Sequence, residues 1–239
     1  MRSTVGDIKR RLAWRENPYL VALRDGTLTR DEFLETQVQF WIAVGFFSRP
    51  MAVLAARLPR ADLRLGLLEN VHDEHGHGNP ALAHEKTFLT LLERLGVSEA
   101  QADRHTLWPE VRTFNTALAG LCTLDDPLTG LGTLGMIEDL FSGISAAIGD
   151  GVVARGWLPR ERLVHYTTHE TLDVEHAEGF YRLLDGPWAE SPEKAYQVTQ
   201  GFELGGYLMM RLHEDLWRAR DRRWRRTTHG PHSVAAGSL

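Results

Sequence analysis

Residues 165–176 read HYTTHETLDVEH, and they lie in a run from Pro159 to Leu184 that predicts one continuous helix. Each helical residue advances by about 100°, so positions i, i+4 and i+7 return to nearly one line on the helix surface. His169, Asp173 and His176 have this spacing. Two imidazoles and a carboxylate are unsuited to a dry apolar core. They are common ligands of iron, manganese and zinc, so this column predicts a metal site.

Composition narrows the class of protein. The chain has 239 residues, of which 43% are hydrophobic, which is enough for one well-buried domain. Its formal charge of −5 gives no general support for nucleic-acid binding. The single cysteine, Cys122, rules out a disulfide framework within the chain and fits a reducing, cytoplasmic setting. Residues 1–10 contain no apolar signal core, and no apolar run approaches the roughly 18 residues that cross a bilayer, so we expect no membrane span.

Helical periodicity extends over nearly the whole chain, with few strand-type alternations. Thr29 and Glu32 have the spacing of a capping box, and they precede a long apolar stripe in which Gln37 takes the one polar position. No internal repeat or long linker marks a second domain. The sequence therefore predicts an all-α, single-domain bundle of about seven main helices over residues 1–226. We expect the tail, residues 227–239, to be disordered.

Glycine and proline residues mark the predicted helix ends. After the break at residues 76–80, the next helix is expected to begin at Pro80. A later glycine-rich helix, which starts at residues 125–127, is expected to end at residues 149–151. The basic run at residues 218–226 is interpreted as the solvated end of the last helix, where cations interact favourably with the helix dipole.

Acids and histidines on otherwise apolar helix faces are candidates for further ligands. Glu138 interrupts the apolar face of the glycine-rich helix, and Glu74 closes the apolar stripe of an earlier one. Glu69 and His72 form an E-x-x-H pair on a neighbouring face, and His84 follows in the next helix. Each alone has an ordinary explanation as a surface or hydrogen-bonded core residue. The column in residues 165–176 favours a ligand role, because a metal site in a bundle core draws its ligands from facing helices.

Residues 69–76 read ENVHDEHG and are followed by His84, and this arrangement resembles the E-N-x-x-D/E-E-x-G…H segment of the heme-oxygenase-like diiron oxidases and oxygenases. That family includes CADD-like proteins. Its fold is the seven-helix bundle shared with heme oxygenase, the thiaminase II (TenA) group and pyrroloquinoline-quinone (PQQ) synthase. The resemblance covers roughly residues 18–185.

The resemblance implies a site for two iron ions, with dioxygen as co-substrate, and it leaves a mixed iron–manganese pair open. The spacing between the acid and histidine of the first motif varies in the family, so Glu69 stays an alternative to Glu74. Carried over position by position, the family's ligands fall on Glu74, His84, Glu138, His169, Asp173 and His176.

The family's chemistry implies an iron-dependent oxidoreductase acting on a small metabolite. Its reactions include N-oxygenation, oxidative C–C cleavage of amino-acid-like or fatty-acid-like substrates, and para-aminobenzoate formation. No lysine lies between Lys86 and Lys194, which disfavours a lysine nucleophile or amino donor on the intervening helices. The resemblance further implies a homodimer and a reductase or other electron donor.

Five more residues are candidates for contacts to the ligands or to the substrate. His165 lies one turn before the column and could orient a ligand from behind. For Gln37 and Tyr166, core packing is the alternative explanation. The full set is Gln37, Glu69, His72, His165 and Tyr166.

Three alternatives stay open at this point. A ferritin-like site would take one Glu from each of two helices and an acid-x-x-His pair from each of the other two, which leaves His84 and His169 unexplained. A cofactor-free enzyme of the TenA or PQQ-synthase type would use the same groups to bind an organic substrate, and a non-catalytic binding protein would keep only a vestigial site. The ferritin-like set consists of Glu35, Glu69, His72, Glu138, Asp173 and His176.

Overall fold

A computed structural model describes residues 1–226, and within that range most of the chain is helical and the only β-structure is an isolated bridge between His105 and Arg225. The expected disorder of residues 227–239 lies outside the described residues. Short 3-10 turns connect some of the α-helices at Trp14–Glu16, Gly76–Gly78, Pro80–Leu82 and Arg160–Arg162. The α-helices are α1 (Arg2–Leu12), α2 (Pro18–Asp25), α3 (Arg30–Arg57), α4 (Ala61–Glu74), α5 (His84–Arg94), α6 (Glu99–Ala102), α7 (Pro109–Leu124), α8 (Pro127–Ala154), α9 (His165–Glu190) and α10 (Pro192–Ala219).

Helix α8 is the centre of the bundle, with α9 and α10 packed along it. Glycines allow the backbones to approach closely. A Cβ on Gly201 would lie 2.4 Å from the carbonyl oxygen of Thr129, and a Cβ on Gly135 would lie 2.8 Å from the Cβ of Phe180. Side chains larger than hydrogen would therefore push α10 and α9 away from α8.

Helix α3 forms the opposite wall of the bundle and packs against α4, α5 and α7. It begins with the predicted capping box, in which Thr29 and Glu32 bond each other's backbone N–H groups, and it continues through Pro50. By length and composition α3 and α8 could each span a membrane, but 44% and 72% of their most apolar windows are buried, as is common in core helices.

Two predicted helix starts are wrong. Residues Pro80–Leu82 form a 3-10 turn, and α5 begins at His84. The run that was expected to be one helix from Pro159 contains a 3-10 turn and then a break at Val164, whose φ of 35° is outside the helical range. Helix α9 therefore begins at His165.

Two predicted helix ends are also wrong. Helix α8 continues through residues 149–151 to Ala154. Gly151 serves packing there, because a Cβ on it would lie 2.6 Å from the Cγ of Leu23. Helix α9 continues through Pro187 to Glu190, so a single proline is tolerated inside it.

The basic C-terminal run is not a solvated helix end. After α10 the chain turns back, and Arg225 forms a two-pronged ion pair with Glu35, whose side chain is fully buried in α3. Arg222 pairs with Glu110 at 2.8 Å and 3.0 Å. Arg225 is drawn in because the buried carboxylate of Glu35 requires a counter-charge.

Candidate metal centre

The structure brings the six predicted ligands together inside the bundle. Glu74 is the last residue of α4, His84 is the first of α5, and Glu138 lies in the middle of α8. The other three come from α9. All six side chains are buried, with at most 7% of any residue exposed. Ligand-type atoms of Glu74, Glu138 and His176 lie within 4.8 Å of one another.

The connection between α4 and α5 positions the first two residues. His84 Nδ1 lies 2.9 Å from Glu74 Oε1, although the residues are ten positions apart. The intervening loop closes tightly at Gly76, which has a φ of 68°. A Cβ at that position would lie 2.6 Å from the backbone nitrogen of Ala83, so the turn requires glycine.

The α9 column faces Glu138 of α8. His169 Nδ1 lies 2.7 Å from Asp173 Oδ1. His176 Nδ1 lies 3.8 Å from Glu138 Oε2 and 4.0 Å from Asp173 Oδ1, which is too far for a hydrogen bond to either. The ring centroids of His84 and His169 are 4.4 Å apart, so His84 of α5 lies beside the α9 column.

Several buried polar atoms in this cluster have no hydrogen-bond partner among the described residues. An orphaned buried donor or acceptor costs about 1–3 kcal/mol, more if it is charged. Carboxylate oxygens and imidazole nitrogens are the donor set that non-haem iron or manganese binds. The residues present therefore fit a metal centre. The orphaned atoms are Glu138 Oε1, His169 Nε2, Asp173 Oδ2 and His176 Nδ1.

The negative charges of the cluster raise the pKa values of Asp173 and His176. Burial and the negative charge of Glu138 raise the pKa of Asp173 well above its ordinary value. Burial alone would lower the pKa of His176, but the carboxylates of Glu138, Asp73 and Asp173 outweigh it and raise that pKa to about 10. In the metal-free protein, bound protons therefore offset part of the negative charge of the cluster.

Asp73 is a site residue that the sequence analysis missed. Its Oδ2 lies 3.1 Å from His176 Nε2, and its side chain is 22% exposed. The signal was present, because Asp73 immediately precedes Glu74 in the motif of residues 69–76. It was overlooked because a residue next to a ligand in a helix points about 100° away from it.

The candidates for indirect roles are spread over two environments. His165 is fully buried, its ring lies 4.2 Å from that of His169, and its Nδ1 is 3.3 Å from Thr87 Oγ1. Tyr166 donates a hydrogen bond to Gln37, whose amide in turn bonds the Tyr19 hydroxyl at 2.9 Å. Gln37 and Tyr166 thus bond each other and core residues, and neither lines the cavity described below.

The structure does not assemble the ferritin-like set. Glu69 and His72 are exposed and make no hydrogen bond to any of the six buried residues. Glu35 belongs to the separate ion pair with Arg225. The E-x-x-H pair fails because its face of α4 points to solvent, whereas Glu74 points inward.

An apolar cavity of about 40 Å³ ends on the cluster. That volume holds dioxygen or a few waters but not a large substrate without side-chain movement. Among the described residues the only charged or ionisable groups on its wall are Glu74, Glu138 and His169. The remaining wall consists of Phe40, Ala43, Val44, Phe47, Phe114, Ile137, Phe141 and Met209.

The sequence was compared with models of known protein families and with curated proteins. The sequence model of a family described as iron-containing redox enzymes matches residues 34–208, more than half of the chain. The sequence matches no curated protein at a significant level.

Solved structures with the same architecture are distant in sequence. A domain of unknown function with a heme oxygenase-like fold from Shewanella denitrificans aligns with a TM-score of 0.75 at 17% identity, over 89% of this chain and 91% of that chain. A CADD-like protein of unknown function from Nostoc punctiforme gives 0.75 at 16% identity, over 92% and 97%. A TenA homologue from P. horikoshii gives 0.68 at 17% identity, over 91% and 96%. These likenesses confirm the predicted heme-oxygenase-like fold.

Proposed function

This chain belongs to the iron-containing redox enzyme family, and on that premise we propose that it is a non-haem diiron oxidase or oxygenase that uses dioxygen to oxidise a small metabolite. The six buried residues Glu74, His84, Glu138, His169, Asp173 and His176 would hold the two ions. Bound iron would supply the electrons and the open positions at which dioxygen reacts.

The observation that carries this proposal is the convergence of orphaned atoms. If His169 Nδ1–H donates to Asp173 Oδ1, its lone pair remains on Nε2. If His176 Nε2–H donates to Asp73 Oδ2, loss of the second ring proton leaves the lone pair on Nδ1. Both of these nitrogens are among the orphaned atoms, and so is the second oxygen of Asp173. The hydrogen bonds therefore select the tautomers that a metal centre needs.

The cavity supports one of the two substrate classes. An amino-acid-like substrate needs a cation for its carboxylate and an acid for its amine. The cavity wall offers no lysine or arginine among the described residues, and its acids are the proposed ligands. Phenyl and aliphatic side chains instead suit a hydrocarbon chain. We therefore favour a fatty-acid-like substrate whose reacting end faces Glu138 and His169. Its chain would enter only after side chains on the wall of the 40 Å³ cavity move apart.

The protein's own contribution is to hold the ligands and exclude water. Phe40 and Phe141 pack ring to ring at 5.3 Å on the cavity wall, and Phe141 lies 5.4 Å from the ring of His169. These aromatic groups keep bulk water from the reacting end of the substrate. His165, whose ring lies 4.2 Å from that of His169, would help to hold that ring in place.

Iron loading tests the proposal. Protein loaded anaerobically with Fe²⁺ is expected to bind two ions in the buried cluster and to consume oxygen. His169→Ala and Glu138→Ala should each lose bound iron and oxygen consumption, whereas His75→Ala, which changes an exposed histidine, should not. If the first two variants keep full iron content and oxygen consumption, the assignment is wrong.

The same experiment addresses a cofactor-free enzyme of the TenA or PQQ-synthase type, which shares the fold. Such an enzyme would bind no stoichiometric iron in the cluster. The orphaned ligand-type atoms favour the metal centre over this alternative.

We also propose a cytoplasmic homodimer that receives electrons from a reductase. The buried thiol of Cys122 fits a reducing compartment. Light scattering of the purified protein would test the dimer.

A further inference from the structure

A second group of ligand-type side chains lies at the surface beside the buried cluster. Ligand atoms of His72, Asp73 and His77 lie within 4.8 Å of one another. His77 Nδ1 is 3.1 Å from Asp73 Oδ1, and the rings of His72 and His77 are 5.4 Å apart. Neither histidine belongs to the centre described above.

The backbone conformation that creates this group is unusual. His77 has φ 55° and ψ 37°, a left-handed conformation that non-glycine residues rarely adopt. It lies between Gly76 and Gly78, which have φ values of 68° and 82°. The turn swings the His77 ring back over the end of α4, where it meets Asp73. A strained residue that is held by its neighbours often marks a functional position.

The two oxygens of Asp73 divide between the two groups. Oδ1 faces His77, and Oδ2 faces His176 of the buried cluster. Asp73 can therefore offer one oxygen to an ion at the surface without giving up its hydrogen bond to His176. The solvent side stays open, because 67% of the His77 side chain is exposed.

The surroundings favour a cation. The groove between α4 and α9 that includes Asp73 also carries the carboxylates of Asp62, Glu69 and Glu175. The cations beside these four acids are Arg182 and protonated His176 in the groove and Arg60, which pairs with Asp62, so acids outnumber cations among the described residues. An excess of negative charge raises the local concentration of divalent ions.

We propose that His72, Asp73 and His77 form a separate mononuclear site for a divalent transition-metal ion such as Zn²⁺ or Fe²⁺. Two imidazoles and one carboxylate, with the remaining positions open to water, are an established ligand set for such ions. The site is distinct from the buried pair of ions and does not depend on them.

Cobalt binding tests the site. Untagged protein is dialysed anaerobically against Co²⁺, and bound cobalt per chain and its affinity are measured. His77→Gly is compatible with the left-handed turn and removes the imidazole together with its Cβ. This variant should bind one ion fewer or bind that ion at least about tenfold more weakly. His72→Ala, a substitution in α4 and not in the turn, should show the same loss. His75→Ala, which alters a neighbouring exposed histidine, should bind as the wild type does.

The outcomes separate this site from the buried centre. If the Glu138→Ala variant still loses one further ion when His77→Gly is added, the surface site exists whatever the fate of the buried one. Unchanged cobalt stoichiometry and affinity in both His77→Gly and His72→Ala would overturn the inference. An equal loss in His75→Ala would overturn it as well, because the ion would then be held nonspecifically by the loop.

Discussion

His84 Nδ1 and Glu74 Oε1 lie 2.9 Å apart at the two ends of a loop that leaves α4 and returns as α5. Both residues are buried, whereas Glu69, one and a half turns earlier on α4, is exposed. The hydrogen bond and charge of His84, helped by the neighbouring histidines, outweigh burial and keep the pKa of Glu74 below its ordinary value. Glu74 is therefore a carboxylate that faces the cluster, and Glu69 is not.

Exchanging each acid for its neutral isostere separates the two candidates. Glu74→Gln is expected to lose about one of the two buried irons, because it removes an anionic ligand. Glu69→Gln on the same helix is the matched control and should keep both. Iron is counted after anaerobic loading and desalting. Iron loss in Glu69→Gln with full retention in Glu74→Gln would reverse the assignment.

Metal binding should release protons. His176, whose pKa is raised to about 10, carries a proton at neutral pH in the metal-free protein, and Asp173 holds its proton more tightly than an ordinary carboxyl group. The imidazole of His176 and the carboxyl group of Asp173 must each lose this proton to bind a metal ion. The apparent affinity for Fe²⁺ or Co²⁺ should therefore rise with pH from mildly acidic values toward 10, by about one log unit or more per pH unit.

Titration in weakly buffered solution with a pH indicator measures the protons that are released on metal addition. His176→Gln cannot carry the extra proton, so fewer protons should be released from it. A pH-independent affinity would contradict a protonated His176 and a protonated Asp173 in the metal-free protein.

The parts of the site that could be predicted from sequence are those that depend on local periodicity. His169, Asp173 and His176 share a line because they are in one helix, and Glu138 stands out because the rest of its face is apolar. The pairing of Glu74 with His84 depends instead on a loop conformation, and its turn at Gly76 has no periodic signal. The resemblance to a known family supplied that pairing.

Long-range contacts outside the ligand set that the resemblance implies could not be predicted. Asp73 meets His176 across 103 positions, and Arg225 meets Glu35 across 190. No local sequence pattern indicates a contact between residues so far apart in the chain. The predicted helix boundaries were wrong for a related reason. Gly151 is typical of a helix end, but it lies inside α8, where its lack of a side chain allows close packing against Leu23.

Filling the cavity tests the proposed substrate class. Ala43 lies on the cavity wall and is buried. Ala43→Leu would place extra carbon atoms in a space of about 40 Å³ and should weaken binding of straight-chain carboxylic acids more as the chain lengthens. Iron content should not change, since no ligand is altered. Equal effects on short and long chains would argue against a hydrocarbon-binding cavity.

Close packing of α10 on α8 should make Gly201 intolerant of a side chain. Its added Cβ would lie 2.4 Å from the Thr129 carbonyl oxygen and 2.9 Å from Gly132 Cα. Gly201→Ala is expected to lower the free energy of unfolding by about 1–3 kcal/mol. Gly120→Ala on α7 is the control: nothing lies within 4 Å of its Cβ, and it should raise that free energy by about 0.5–1 kcal/mol. Urea denaturation measures both.

The ion pair between Arg225 and Glu35 should matter for stability even though it is far from the chemistry. Among the described residues, Arg225→Leu leaves the buried Glu35 carboxylate with only His105 at 3.4 Å and Arg223 at 3.7 Å. Breaking a buried pair typically costs about 3–5 kcal/mol. Arg226→Leu, at the exposed neighbouring position, should change the free energy of unfolding by less than about 0.5 kcal/mol.

The effect of Arg225→Leu should depend on pH with a defined sign. Burial raises the pKa of Glu35, but the hydrogen bonds and charges of His105 and Arg225 outweigh it and hold that pKa below the ordinary 4.5. A depressed carboxyl pKa contributes stability that is present above 4.5 and is lost as the pH falls through the folded-state value. The difference in unfolding free energy between wild type and Arg225→Leu should therefore be full at neutral pH and shrink below pH 4.5. A difference that stayed constant into the acid range would mean that Arg225 acts by packing its apolar stem, not through the charge of Glu35.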